Sequence, residues 1–360
     1  MKTGMTLVAL ATELNRQNAV KRDFIADTRT MSMSGDARRL ALGGEHDFGI
    51  NPLAQKQLAA KLEIPTAFYG RLQEKHPDIL SGMVNALFQR EPKQTMVRTL
   101  DNNARAIMSD GFRPLDNYDL FDVIYPLVQA AGAEVVSCAL TETKLYLKCL
   151  CPWLDRELPV PEGAVMGQGH TIFLRRVIGA LCFSNSDVGA SRLAINPGVF
   201  EKQCTNLALF KDEGFGVVHV GKRKGVEDEQ FEYLSDDTKR LDDAAIWSRV
   251  RDVTVATMDG RVMDRLVEKL TAARGDAITG NPARVVEVFS KQHGLTDAEG
   301  GGLLRHLTGS GEMSRYGLQW AVTRLAGEAK DYDRATDLER LGGKVIELPT
   351  SDWRTLAMAA

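Results

Sequence analysis

Apolar and polar positions alternate most cleanly over residues 144–149, where Lys144, Tyr146 and Lys148 interleave with Leu145, Leu147 and Cys149. Successive side chains of a strand point to opposite faces, so this segment predicts a half-buried strand with two ammonium groups flanking an aromatic ring on its exposed face. Looser alternation predicts strands over residues 22–32, 133–140, 171–183, 192–195 and 214–220. Residues 94–109 read as a β-hairpin closed at Asn102 and Asn103, because asparagine tolerates the positive φ of such turns. Arg98 and Arg105 then share a face with Leu100 and Ile107, and a one-residue change of register would separate them.

Elsewhere the apolar spacing is helical. Residues 1–20 read as a short helix, and residues 52–75 as two helices meeting at Ile64 and Pro65, with Leu53, Leu58 and Leu62 before the break and Phe68 and Leu72 after it. The pair resembles a helix-turn-helix, but amphipathic helices packing on a sheet produce the same pattern. Asn117 or Asp119 can cap an apolar helical run over residues 120–128. A helix is expected over residues 200–209, and the Pro- and Gly-containing interval 152–169 reads as a long loop. From residue 235 onward the pattern is helical, with breaks at Gly300 to Gly302 and at Ser310 and Gly311. The expected architecture is therefore α+β: a mainly antiparallel sheet with flanking helices, followed by a helical C-terminal unit. Its expected divisions are an N-terminal strand and helices over residues 1–92, a central β-rich core over 93–225, and the helical unit over 226–360.

A chain of 360 residues that is 44% hydrophobic can bury two or three packing units. It has no run approaching the roughly 18 apolar residues of a membrane span and no apolar leader at its N-terminus, so a cytoplasmic protein is expected. Cys138, Cys149, Cys151, Cys182 and Cys204 form an odd set without a Cys-x-x-Cys pair and read as buried thiols. Cys149 and Cys151 with His170 lack the paired spacing of a structural zinc site, and neither a metal nor another cofactor is expected. Charge is uneven: residues 1–224 carry 27 Lys and Arg against 24 Asp and Glu, and the remainder 18 against 24. The N-terminal two-thirds is thus the better partner for a polyanion.

No nucleotide-binding Gly-Lys-Ser/Thr loop and no Gly-x-Ser-x-Gly elbow is present. His170, His219 and His306 have no carboxylate partner assignable from spacing. Asp110, Asp116, Asp119 and Asp122 could supply oxygen ligands to magnesium, as a nuclease requires, or cap helices and turns. Cationic strand residues recur: Arg98, Arg105, Lys144, Lys148, and the adjacent Arg175 and Arg176, of which at least one must point away from the core. Arg113, Lys222, Arg223 and Lys224 lie in adjoining turns. Cations fixed on a sheet can track phosphates while Tyr146 or Phe112 stacks on unpaired bases, which favours single strands. They can equally solvate a sheet face and discourage edge pairing.

The segments VRTLDNNARAIMSDGFRPLDNYDL, SNSDVGASRLAINP with CTN at 204–206, and RYGLQWAVTRLA with DYDRATDLERLGGKVIELP resemble a prophage- and plasmid-borne family known as phage/plasmid-like proteins. The resemblance extends from about Asp23 to Trp353. That family is in turn remotely similar to single-strand annealing recombinases, which assemble as rings or filaments on DNA. The resemblance implies single-stranded DNA binding and ATP-independent annealing in phage or plasmid recombination, by a homo-oligomer that can also meet a host replication protein. It implies phosphate contacts from Arg98, Arg105, Arg113, Lys144, Lys148, Arg175 and Arg176, and hydrogen bonds to sugar or phosphate from Ser184, Asn185 and Ser186. Alternatives are a metal-dependent nuclease acting through the aspartates of residues 110–122, and a protein-binding regulatory or anti-defence factor working through the acidic helical end.

Overall fold

A computed structural model of the chain describes residues 1–2, 4–161, 175–202, 205–217 and 235–359. The fold is α+β, as the pattern predicts. Its first lobe contains α1 (Leu7–Val20), β1 (Arg22–Asp27), β2 (Met31–Met33), β3 (Arg39–Leu42) and β4 (His46–Ile50). It continues with α2 (Pro52–Lys61), α3 (Thr66–Lys75), α4 (Pro77–Arg90), β5 (Gln94–Leu100) and β6 (Asn103–Ser109). The strands form one sheet in the order β1-β5-β6-β4-β3-β2, antiparallel except where β4 meets β6. Helices α2 to α4 bury Leu58, Leu62, Tyr69, Leu72, Val84 and Phe88 against it, so the two-helix segment is sheet packing. The hairpin over residues 94–109, assigned by sequence to the central unit, instead completes this first sheet. Its turn falls at Asp101 and Asn102, which take the positive φ values of 49° and 61°, one residue earlier than expected.

The second sheet is built from β7 (Glu134–Leu140), β8 (Leu145–Leu158), β9 (Arg175–Asn185), β10 (Leu193–Glu201), β11 (Asn206–Leu209) and β12 (Phe215–Val217), preceded by α5 (Asn117–Ala130). Its order is β11-β10-β9-β8-β7, with β12 also pairing β10. Two expectations need correction. Residues 206–209 form a strand, not part of a helix, because a short apolar run carries no period of its own and is decided by its pairing with β10. Strand β8 runs on through Pro152 to Leu158 where a loop was expected, since the proline falls in an irregular stretch between Cys151 and Asp155 where no ladder hydrogen bond is required of it. In the rest of that interval, residues 159–161 follow the strand without regular structure and residues 162–169 lie outside the described residues.

Seven helices follow among the described residues: α6 (Asp236–Thr257), α7 (Gly260–Gly275), α8 (Pro282–His293), α9 (Asp297–Ser310), α10 (Arg315–Ala326), α11 (Tyr332–Glu347) and α12 (Thr350–Ala357). Helices α1, α5, α6 and α7 cover one face of the second sheet, where Leu145, Leu147, Cys149, Leu181 and Phe183 point. Helices α8 to α12 share their own core around Phe289, Leu303, Leu318, Leu338 and Trp353. Helix α11 also seals the opposite face of the second sheet, packing Tyr332 with Tyr146, Ala180, Cys182 and Leu207. It approaches so closely that a Cβ at Gly343 would sit 1.9 Å from the Leu209 carbonyl oxygen. Both faces of β8 are therefore covered, which corrects the expectation of an exposed Lys-Tyr-Lys face.

At the centre of that contact, Lys148 Nζ donates to Glu339 Oε2 at 2.6 Å, with side-chain exposures of 1% and 0%. The same ammonium lies 4.4 Å from the Tyr332 ring centroid. Removing one partner of such a pair strands the other charge in a dry interior, at a cost of about 3–5 kcal/mol. Lys148→Met is expected to lose that much stability in urea unfolding. Lys148→Met combined with Glu339→Leu is expected to recover most of it, and equal losses in the single and double variants would show that the pair is not what holds α11 to the sheet.

Candidate nucleic-acid interface

The strand cations singled out from the sequence do not form a common trough, because most are neutralised inside the fold. Arg98 is 1% exposed; it donates to Asp23 at 2.8 Å, to Asp116 at 2.7 Å and to the Asp187 carbonyl. Arg105 pairs with the Asp187 carboxylate. It is skipped in the β5–β6 register, where Arg98 faces Ala106 and Thr99 faces Ala104, so it sits at a bulge, and it shares Asp187 with Arg98. Lys21 also reaches Asp116, so burial, which would raise the Asp116 pKa, is overcome by Arg98 and Lys21 and the group stays ionised below its usual range. This network fixes the loop after β9 between the two sheets. Asn185 belongs to it, donating to the Leu115 carbonyl at 2.6 Å and to Asn117 at 3.0 Å, so its amide is structural.

The other candidates are similarly engaged. Lys144 lies 3.7 Å from Asp333, and the buried Tyr146 hydroxyl donates to Asp333 at 2.6 Å, which leaves no ring face for a base. Arg175 contacts Glu201 and Glu312, Glu312 also pairs with the buried Arg274, and the Arg175 guanidinium lies over the Tyr316 and Trp320 rings. Burial would lower the Arg175 pKa, but the facing Tyr316 and Glu201 raise it. Arg113 pairs with Asp242 and Asp243 at the start of α6. Arg176 is 57% exposed but meets Asp155 at 3.2 Å, on another side of the sheet. Lys222, Arg223, Lys224, His170, His219 and Cys204 lie outside the described residues, whereas Cys138, Cys149, Cys151 and Cys182 are buried free thiols, as expected.

One expected residue, Ser184, does open onto a different site. Between α11 and the residues that begin β10 and precede β12 lies a cleft of about 690 Å³, with five cationic side chains facing three carboxylates. Arg192, Lys211 and Lys344 are exposed on its walls and make no ion pair with any described residue. Arg192 lies across β12, where a Cβ at Gly216 would come within 2.9 Å of three guanidinium atoms. Arg340 crosses the floor, donating to Ser184 Oγ at 2.8 Å with Asp337 3.7 Å away. Glu347 accepts from the backbone N–H groups of Lys211 at 3.4 Å and Asp212 at 2.9 Å, which seats Lys211 at the rim. His293 also lines the cleft; burial and then the field of Lys344 lower its pKa. Sequence reading missed this set because its members come from two strands' ends and two helices, and no local pattern joins them.

The aspartates of residues 110–122 do not converge. The Asp116 carboxylate is held by Lys21 and Arg98, while Asp119 and Asp122 project from α5. Among the described residues no three His, Cys, Asp or Glu side chains are placed to hold a metal ion, and no helix is long and apolar enough to cross a membrane. Comparison of the chain with family models, with curated proteins and with solved structures found no match.

Arg334, which also lines the cleft, is engaged by Glu299 of α9, whose two oxygens it meets at 2.7 Å each. That guanidinium, with the Thr296 cap, lowers the Glu299 pKa from 4.5 to about 2. A carboxyl with a depressed native pKa contributes stability above its unfolded value and loses it as pH falls through the native one. The melting temperature is therefore expected to fall between about pH 4.5 and pH 2 more steeply in the wild type than in Glu299→Gln. Parallel profiles for the two proteins would remove Glu299 as a contributor.

Proposed function

We propose that this chain binds single-stranded DNA in the cleft beneath α11 and promotes pairing of complementary strands without ATP, as an oligomer in the cytoplasm. The observation that carries the reading is the convergence of Arg192, Lys211, Arg340 and Lys344 on one recess, three of them without a described carboxylate partner, in a molecule where most of the other strand cations are neutralised internally. Unpaired cations on concave walls attract a polyanion and release its counterions on binding. A recess of about 690 Å³ admits a few nucleotides of a flexible strand. A duplex is stiff over about 150 base pairs and would meet only the rim. Annealing requires no nucleotide hydrolysis, in keeping with a chain that carries no phosphate-binding Gly-Lys-Ser/Thr loop.

The test is binding of a fluorescent thirty-nucleotide oligothymidylate over a salt series, together with annealing of complementary strands and particle sizing. Arg192→Glu combined with Lys344→Glu is expected to weaken binding at least tenfold and to reduce the salt slope by about 0.7 for each phosphate that is no longer neutralised. Lys75→Glu, on the exposed side of α3, is expected to change neither. Unchanged affinity and slope in the cleft variant would overturn the reading.

A further inference from the structure

The wall formed by Ser191 and Arg192 has a second side. There it borders another cleft, of about 550 Å³, set against the first sheet and lined by Ala60, Lys61, Ile107, Met108 and Gly189 among others. The two recesses share Ser191 and Arg192 and so adjoin one another. The chemistry changes across that shared wall. The first recess is ringed by cations, whereas the second has apolar side chains within and cations at its edge. Lys61 donates to the Met108 carbonyl at 3.1 Å and, at 3.5 Å, to that of Gln94, which leaves a third ammonium N–H uncommitted. Ser191 Oγ is shielded from solvent and has no hydrogen-bond partner among the described residues. An orphaned hydroxyl in the wall of a cleft is the kind of group that a ligand satisfies.

Gly189 keeps this second cleft open. Its φ of +75° lies in the left-handed region, and a Cβ there would stand 3.0 Å from Met108 Sδ and 3.8 Å from Gln57 Nε2. Gln57 in turn braces the site, donating to the Val188 carbonyl at 2.8 Å and accepting from the Ile107 N–H at 2.8 Å. The loop that Arg98 and Arg105 hold between the sheets thus ends at the lip of this second cleft, a slot with Ile107 and Met108 in its lining.

We infer that this slot receives an unpaired nucleobase from the strand whose phosphates lie in the first cleft, with Arg192 between the two and Lys61 Nζ offered to the base edge. The inference rests on the proposed DNA-binding reading and adds to it a requirement for bases free of their complements. An apolar slot with a cationic rim matches a planar heterocycle attached to a phosphate, and stacking or apolar contact of this kind is tolerant of base identity.

The test compares an oligothymidylate with an abasic oligomer of the same length and phosphate count, using the full chain. Wild type is expected to bind the base-bearing strand about tenfold more tightly. Ala60→Trp and, separately, Ser109→Trp place an indole in the slot from exposed positions. Each is expected to lower affinity for the base-bearing strand to the abasic level, to leave abasic binding unchanged, and to melt within a few degrees of wild type. Equal wild-type affinity for the two oligomers, with Lys344→Glu still weakening both, would overturn the base slot while the phosphate cleft stands. Binding of both oligomers that is indifferent to Lys344→Glu would overturn the cleft and the slot together.

Discussion

The contact between Lys148 of β8 and Glu339 of α11 determines what the second sheet can do. An ammonium and a carboxylate, both removed from water, meet at 2.6 Å only if the helix lies flat on the strand. Burial raises the Glu339 pKa, and the facing Lys148 opposes that rise. With α11 seated there, the Tyr332 ring packs at a tilt against Tyr146, Asp333 receives the Tyr146 hydroxyl, and Arg340 reaches Ser184. The same placement closes the broad sheet face to any ligand and leaves a recess along the margin of the helix. A helix that covers one surface thereby creates another.

Charge neutralisation follows one rule through the molecule. Where cations and carboxylates stand on elements that must pack, they pair: Arg98 and Arg105 with Asp116, Asp23 and Asp187 between the sheets, and Arg175 and Arg274 with Glu201 and Glu312 against α10. Such pairs contribute positional specificity more than net stability, since the cost of desolvating each group offsets much of the attraction. They orient the loop over residues 186–189 and the start of β9. Among the cations that make no ion pair with any described residue, Arg192, Lys211 and Lys344 lie at ends of elements around one cleft, and it is there that an external anion can supply the missing charge.

Much of the local structure was legible in the chain. The alternation of residues 144–149 does mark a strand, the asparagine-rich turn after Leu100 does mark a hairpin, and the helical spacing beyond residue 235 does mark helices. Less legible were residues 206–209, whose apolar run is too short to show a period, and Pro152, which reads as a strand terminator until the bulge that accommodates it is known. The candidate site was legible only at Ser184. Its Lys-Tyr-Lys neighbours carry the composition of a solvated face, and only a helix nearly two hundred residues later in the chain shows that they are buried.

By itself, the order of residues determined many of the strands and helices, that the strands pair mainly antiparallel, and that cations recur on the strands. Those properties depend on neighbours a few positions apart, through alternation, helical spacing and turn chemistry. Which cations are available was decided only by tertiary structure. Whether Lys148 meets water or Glu339, and whether Arg192 stands beside Lys344, depends on how elements distant in sequence are brought together, and a carboxylate's partner is chosen by distance in space.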